Sequence, residues 1–328
     1  MVSQKTKEDF IIMLGKKNKG ITLVALVITI VILLIFAGIS ISTLTNTGIF
    51  QKAKDAKPKT KDTELEQRTK LNEYENEIDK YIPPNQATIN KKEPKVGYYA
   101  DINGDGTIDG IIYADLAVGN TTDGKWTDND GLYTIPKIED DSKLKEYYVS
   151  KEEYTEGKFG KKPVLTPLTG STGDDRFYIM SLNDIVKDEK SSFDWYNAAY
   201  SYGMNDYATT TSGEFGKGKI NTISMIEKWN SKKYGEQNTC SNHKDVWGQI
   251  QAEVTEGWFV PSRGEWSAFA KELGITKTDY NSKYGLSDWY WSSSQSLTDR
   301  AYYTNFNRGY LKHSNVNNYN YIRLSTTF

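Results

Sequence analysis

The chain has 328 residues, 13% of them aromatic, and one cysteine, Cys240. Forty-one Lys and Arg against 43 Asp and Glu leave a formal net charge of −2, which gives no sign of a nucleic-acid partner. A single cysteine excludes an intrachain disulfide, so a folded domain must rest on its core, and the length allows a sizeable one.

Lys16, Lys17 and Lys19 precede Gly20, and an uncharged run then covers Ile21 to Ile41. Twenty-one helical residues span about 31 Å, enough for a bilayer core. The basic flank favours a cytoplasmic N-terminus. A secretory signal has a shorter apolar region with a cleavage site after it. The pattern resembles the type IV prepilin signal, in which a peptidase cuts after Gly on the cytoplasmic face. The resemblance implies a leader over 1–20, processing between Gly20 and Ile21 by a prepilin peptidase, and a transmembrane or pilin-type helix over 21–50. It also implies other pilin subunits as partners. A plain single-pass anchor accounts for the same residues. Most pilins carry Glu at the fifth mature position; here it is Ala25. Without that charge the helix is less costly to hold in lipid, but register in a fibre is less well specified. A minor or tip subunit, or a membrane-held pilin-like protein, fits as well as a fibre subunit.

Residues 51–84 read as a helical stalk. Thr63 with Glu66 suits a capping box. Leu71, Tyr74, Ile78 and Ile82 share one helical stripe, and Pro83-Pro84 stops it. A polar linker over 85–95 leads to a globular domain over 96–328.

Near its start, Asp101, Asn103, Asp105, Gly106 and Asp109 match the first part of a calcium loop. The twelfth position is Ile112 rather than Glu, and Ile111-Ile112-Tyr113 suits a strand. A hairpin with an Asn-Gly or Asp-Gly turn explains the same residues, so calcium and a plain turn both remain open, with no other cofactor expected. Asp174-Asp175-Arg176 reads as a charged loop. Phe193 to Tyr200 and Ile223 to Trp229 read as amphipathic helices. In Gly257–Trp266, Ser262 would be an N-cap closed by Glu265.

The last forty residues, Trp289 to Phe328, carry the clearest functional signal. From Ala301 to Tyr321, eleven of twenty-one residues are Asn or Tyr, with no apolar period to account for them. Tyr gives large amphipathic contact at low rotamer cost and Asn gives adaptable hydrogen bonding, a composition that binding paratopes use. Around this scatter, Trp289-Tyr290-Trp291, Ala301, Phe306, Gly309 and Val316 form a frame. Tyr321 and Arg323 against Ile322 and Leu324 alternate as in a half-buried strand. The WSSS opening, the YIRLSTTF ending and the Gly257–Trp266 segment together resemble the variable proteins of diversity-generating retroelements and the formylglycine-generating-enzyme-like domains.

That resemblance implies an α+β chain: a long N-terminal transmembrane or pilin-type helix and stalk, then a C-type-lectin-like ligand-binding domain over 96–328 with its variable region at about 289–328. Twelve residues would then be exposed on one face: Tyr303, Asn305, Asn307, Arg308, Tyr310, Lys312, His313, Ser314, Asn315, Asn317, Asn318 and Tyr319. Trp291, Phe306, Ile322 and Leu324 would lie beneath. The expected ligand is a protein or glycan on another cell or a phage. The protein is expected as single-pass in the membrane through 21–41 before assembly, with its C-terminal domain at the cell surface or on a pilus. A structural pilin-like subunit without diversification is the alternative. An enzyme is not expected: formylglycine-generating enzymes use paired cysteines, and no nucleophile–base spacing or metal cluster stands out.

Overall fold

A computed structural model of the protein describes residues 93–120, 124–127, 132–240 and 244–328, with Lys70 and the strand Gln86–Thr88. Apart from Lys70, these fall in the second of two units, Met1–Asn76 and Glu77–Phe328. The leader, the apolar run 21–41, the stalk as a whole and His243 lie outside the described residues.

Tyr99–Ala100 (β2) and Gly110–Asp115 (β3) form an antiparallel pair joined by the whole of the Asp101–Asp109 loop rather than by a two-residue Asn-Gly or Asp-Gly turn. Both belong to a seven-stranded sheet with β1 (Gln86–Thr88), β4 (Tyr147–Ser150), β5 (Val164–Pro167), β6 (Phe177–Ser181) and β12 (Ser325–Thr327). Its order is β1-β4-β5-β2-β3-β6-β12. β1 thus lies within the stretch read as linker. The second sheet holds β7 (Ser192–Asp194), β8 (Trp289–Leu297), β9 (Arg300–Asn305), β10 (Tyr310–Asn315) and β11 (Tyr319–Tyr321), in the order β10-β9-β8-β11-β7.

Six short α-helices complete the described residues: α1 (Asn197–Tyr202), α2 (Tyr207–Thr210), α3 (Gly218–Asn230), α4 (Val246–Gln249), α5 (Gln251–Thr255) and α6 (Arg263–Glu272). The expected fold class is therefore corrected. The described residues are β-rich, the longest helix has 13 residues, and none of the helices among them is long and apolar enough to cross a membrane. The helical character of that expectation came from the first 84 residues. Beyond them, Tyr, Trp and β-branched residues between Gly turns favour strands.

Helix α6 joins the two sheets, packing on β3 of the first and on β8 and β9 of the second. Seven consecutive residues, Gly264 to Ala270, are buried, as befits a helix covered on all sides. Its start is fixed as the sequence suggests: the Ser262 side chain accepts from Glu265 N and Glu265 Oε2 accepts from Ser262 N at 2.6 Å. Glu265 also takes the N–H groups of Gly216 and Gly218, tying a neighbouring loop to the helix. Burial pushes its carboxyl up to about 7 against these donors. Trp266, Phe269, Tyr290, Phe306 and Leu311 form the core between helix and sheets. A second cluster covers the opposite side of the five-stranded sheet with Phe193, Trp195, Met225, Trp247 and Trp291. Indole N–H groups cross between these layers: Trp266 Nε1 donates to Trp291 O at 3.1 Å, Trp291 Nε1 to Phe193 O at 2.9 Å and Trp195 Nε1 to Ser292 O at 2.7 Å.

Three local readings change. Residues 193–200 are not one helix: Phe193 and Asp194 belong to β7, and α1 starts at Asn197. Asp174-Asp175-Arg176 is a charged loop before β6, but Arg176 does not face solvent. Only 2% exposed, it forms a bidentate pair with buried Asp115 at 2.7 and 2.8 Å. The ending is not one half-buried strand. β11 stops at Tyr321, Ile322 to Leu324 are all buried, and the chain crosses into the seven-stranded sheet as β12. Arg323 can be buried there because its guanidinium meets Asp184 at 2.7 Å.

Candidate functional site

The site grows from the β9–β10 hairpin. Asn305 Oδ1 accepts from Arg308 N at 2.9 Å and Gly309 N donates to Asn305 O at 2.8 Å. Gly309 has φ +66°, the left-handed value that ends a short hairpin loop and that Gly adopts freely. Phe306 in the same loop is fully buried and stacks on Tyr280 with ring centroids 6.1 Å apart. The loop is therefore pinned at Asn305, Phe306 and Gly309, while Asn307 and Arg308 project into solvent.

Register assigns the strand residues to faces. Tyr310 lies opposite Asn305, Lys312 opposite Tyr303 and Ser314 opposite Ala301; Trp289 lies opposite Asn305 and Trp291 opposite Tyr303. Residues directly opposite share a face and successive residues alternate. Tyr303, Asn305, Tyr310, Lys312 and Ser314 therefore share one face with Trp289. His313 and Asn315 share the other with Tyr302. On the first face lies an open depression of about 460 Å³. Tyr303, Asn305, Arg308, Tyr310, Ser314, Asn318 and Tyr319 line it, together with Trp289 and Asn320.

Seven of the twelve expected residues thus converge, and Lys312 stands on the same face with its Nζ 4.6 Å from the Tyr310 ring centroid. The expectation that all twelve share a face is corrected. His313 lies on the other side, 6.1 Å from the Tyr302 ring, with Arg300 Nη1 3.4 Å from its Nε2; burial, then Arg300, hold its pKa below the usual value. Asn307 turns toward Asp288, at 3.4 Å. Exposure is also more graded than expected. Asn305 is buried at 3%, holding the turn, and Tyr303, Tyr310, Ser314, Asn315 and Asn317 are half-buried. The four residues expected in the core are all buried, but on two sides of the sheet: Phe306 in the cluster around α6, and Trp291, Ile322 and Leu324 in the other cluster, against which Tyr303 packs.

Two lining residues were not singled out from the sequence. Trp289 is 45% exposed on the rim; its place at the start of β8, one residue before buried Tyr290, was the available signal. Asn320 is 4% exposed, with its Nδ2 lacking a hydrogen-bond partner. Nothing in its neighbourhood of Asn and Tyr marked it as buried. Burial, then neighbouring Tyr310, raise the Tyr303 phenol, while Asn305 and Arg308 pull it down. The hydroxyl therefore stays protonated at neutral pH and offers both a donor and an acceptor.

Beside the depression, Asp194 stands opposite Tyr319 in the β7–β11 pairing. It is fully buried, its Oδ2 takes the amides of Asn197 and Asn238, and its Oδ1 has no partner. Burial pushes this carboxyl up to about 7.

The Asp101–Asp109 loop lies at the far sheet. Asp101 accepts from Gly104 N and Gly106 N, Asp105 from Thr107 N, and Asp109 from Ile102 N. Backbone donors thus occupy these carboxylates in a closed turn. Among the described residues no group of three His, Cys, Asp or Glu converges as a metal shell.

No family model and no curated protein matches the chain. Among solved structures, a fimbrial protein from Bacteroides ovatus is similar at 16% identity and a TM-score of 0.31, over 47% of this chain and 36% of that one. The chain spans little more than a third of that protein's length, and a likeness this low does not establish a shared fold.

Proposed function

We propose that the protein is a ligand-binding receptor or adhesin displayed at the cell surface, with the depression beside the β9–β10 hairpin as its binding face. The single observation that supports this best is the convergence of Tyr303, Arg308, Tyr310, Ser314, Asn318 and Tyr319 around exposed Trp289, while Trp291, Phe306 and Ile322 are fully buried. A surface that accepts many side chains cannot also supply the core, where volume changes cost about 1–5 kcal/mol each. Here Trp289, Arg308, Asn318 and Tyr319 of the lining are exposed and the core residues are not among the lining, with Asn305 and Asn320 the buried members of the lining. Together with the resemblance to retroelement variable proteins, this favours positions that are exchanged by directed mutagenesis. Display would rest on residues 21–41, outside the described residues. The binding role needs no reacting group, and the reading is of a protein that binds rather than catalyses.

Two measurements test this. Replacing Arg308, Tyr310, Asn318 and Tyr319 together should leave the melting temperature nearly unchanged, since surface changes cost within about 0.5 kcal/mol each. The locus should hold a near-copy of the 3′ end that differs at template adenines. A cooperative loss of folding on the fourfold change, or a locus without such a copy, would leave a structural pilin-like subunit as the better reading.

A further inference from the structure

The last forty residues contain one carboxylate, Asp299, against Arg300, Arg308, Lys312 and Arg323, in a chain whose overall charge is slightly negative. Arg323 is neutralised by buried contact with Asp184 at 2.7 Å, and Arg300 lies 3.7 Å from Asp299. Arg308 and Lys312 are left over. Both are exposed, neither forms an ion pair among the described residues, and both belong to the face of the depression. No Asp or Glu lines it. Of the nearby carboxylates neither pairs with Arg308 or Lys312: Asp288 takes the Tyr280 hydroxyl at 2.5 Å, and Asp194 is fully buried, with two amides on its Oδ2 and no partner on its Oδ1. The depression therefore offers positive charge that the protein itself does not neutralise.

The rest of its lining bears on the kind of anion. Trp289 is 45% exposed, and the Tyr303 and Tyr310 rings are half-buried. They present flat apolar faces with polar edges, which suit the C–H face of a pyranose. Asn318 and Ser314, hydrogen-bonded to each other, offer donors and acceptors of the kind that vicinal hydroxyls pair with. An extended peptide would add itself to the free edge of β10, the outermost strand of its sheet. That edge carries exposed Lys312 and His313, and charged residues on an edge discourage strand addition. We propose that the depression takes a saccharide that bears carboxylates, of the uronic-acid type, with Arg308 and Lys312 meeting the carboxylates and Trp289, Tyr303 and Tyr310 meeting the rings. This rests on the depression being the binding face.

The test uses the full chain in detergent micelles and three fluorescent probes: oligogalacturonate, the same oligomer as its methyl ester, and a poly-glutamate peptide. The acid form should bind, and its affinity should fall as salt rises. Arg308→Gln and Lys312→Gln should each weaken it roughly 2–5-fold, the range of an exposed ion pair. The ester should bind on the order of tenfold more weakly, since it loses both pairs. Trp289→Ala should weaken acid and ester alike. Equal affinity for acid and ester overturns the carboxylate requirement. If Trp289→Ala still abolishes binding in that case, the binding face itself stands. Binding of poly-glutamate without oligogalacturonate overturns the saccharide in favour of an acidic peptide, and no binding of oligogalacturonate overturns it outright. Oligogalacturonate binding that survives Trp289→Ala, Arg308→Gln and Lys312→Gln together would sink the proposed binding face as well.

Discussion

At the scale of single residues, the hairpin separates positions that hold from positions that present. Phe306 is fully buried against Trp266, Tyr280 and Tyr290, with ring centroids 5.9–6.1 Å away. Phe306→Ala should cost about 3–5 kcal/mol, read as a large fall in denaturant midpoint. A change within 1 kcal/mol would mean that the loop is not pinned there. Asp194 gives a second expectation. Its folded carboxyl is raised to about 7 from the usual 3.8, so the folded state binds a proton more tightly than the unfolded one. Its contribution is fully present below pH 3.8 and is lost as pH rises through 7. Asp194→Asn should therefore flatten the decline in melting temperature between pH 4 and 7, and an unaltered slope would show that other groups set it. Residue by residue, the sequence marked Trp291, Phe306, Ile322 and Leu324 through their apolar character. It misplaced Asn305, because an Asn that holds a turn looks the same in sequence as an Asn offered to solvent. Arg323 and Arg176 were misread for a related reason: their partners, Asp184 and Asp115, are 139 and 61 residues away, and no local pattern reveals them.

At the scale of elements, α6 was the most legible. Ser262 and Glu265 stand three apart at its start, and the capping box is present in full. Ser262→Ala should cost about 1 kcal/mol, within the usual 0.5–2 for a lost N-cap, measured by chemical denaturation. Because Glu265 also holds Gly216 and Gly218, Glu265→Ala should cost more. The β2–β3 pairing was legible in part: the Asn-Gly and Asp-Gly steps mark a break between strands, but the connection is the whole of residues 101–109 rather than a two-residue turn. Its carboxylates already satisfy backbone N–H groups, so the melting temperature should be the same with and without EDTA. A chelator-induced fall would assign calcium to the loop, since an ion at about 100 times its dissociation constant adds about 2.7 kcal/mol. The split of residues 193–200 into a strand end and a short helix was not legible. Phe193, Tyr196 and Tyr200 have the spacing of an amphipathic helix, but the pairing of β7 with β11, over a hundred residues away, overrides it.

At the scale of the whole molecule, the order of the two sheets lay beyond the sequence. Parallel pairings such as β2 with β5 and β11 with β8 depend on where long connections return, which no periodicity records. The convergence on one depression was legible in part. Composition singled out the hairpin, but only strand register could show that Tyr310 and Ser314 face one way and His313 and Asn315 the other. For residues 1–20, the expected outcome rests on Lys16, Lys17, Lys19 and Gly20: mass spectrometry of membrane fractions should find a chain that begins at Ile21. A chain that still begins at Met1 would leave a plain anchor.

The crossing of the last residues from one sheet to the other has a consequence for synthesis. β12 completes the seven-stranded sheet by pairing with β6, and Phe328 O takes the N–H groups of Arg176 and Phe177. The ribosome must therefore translate all of the β9–β10 hairpin before the first sheet can close. A stop codon within that hairpin yields a chain lacking both β11 and β12. Such a chain leaves β6 with an open edge and removes Phe328 from the cluster of Tyr147, Phe177 and Ile179, which makes it a target for proteases. Because β12 follows the hairpin in the chain, closure of the first sheet requires that the hairpin has been translated in frame.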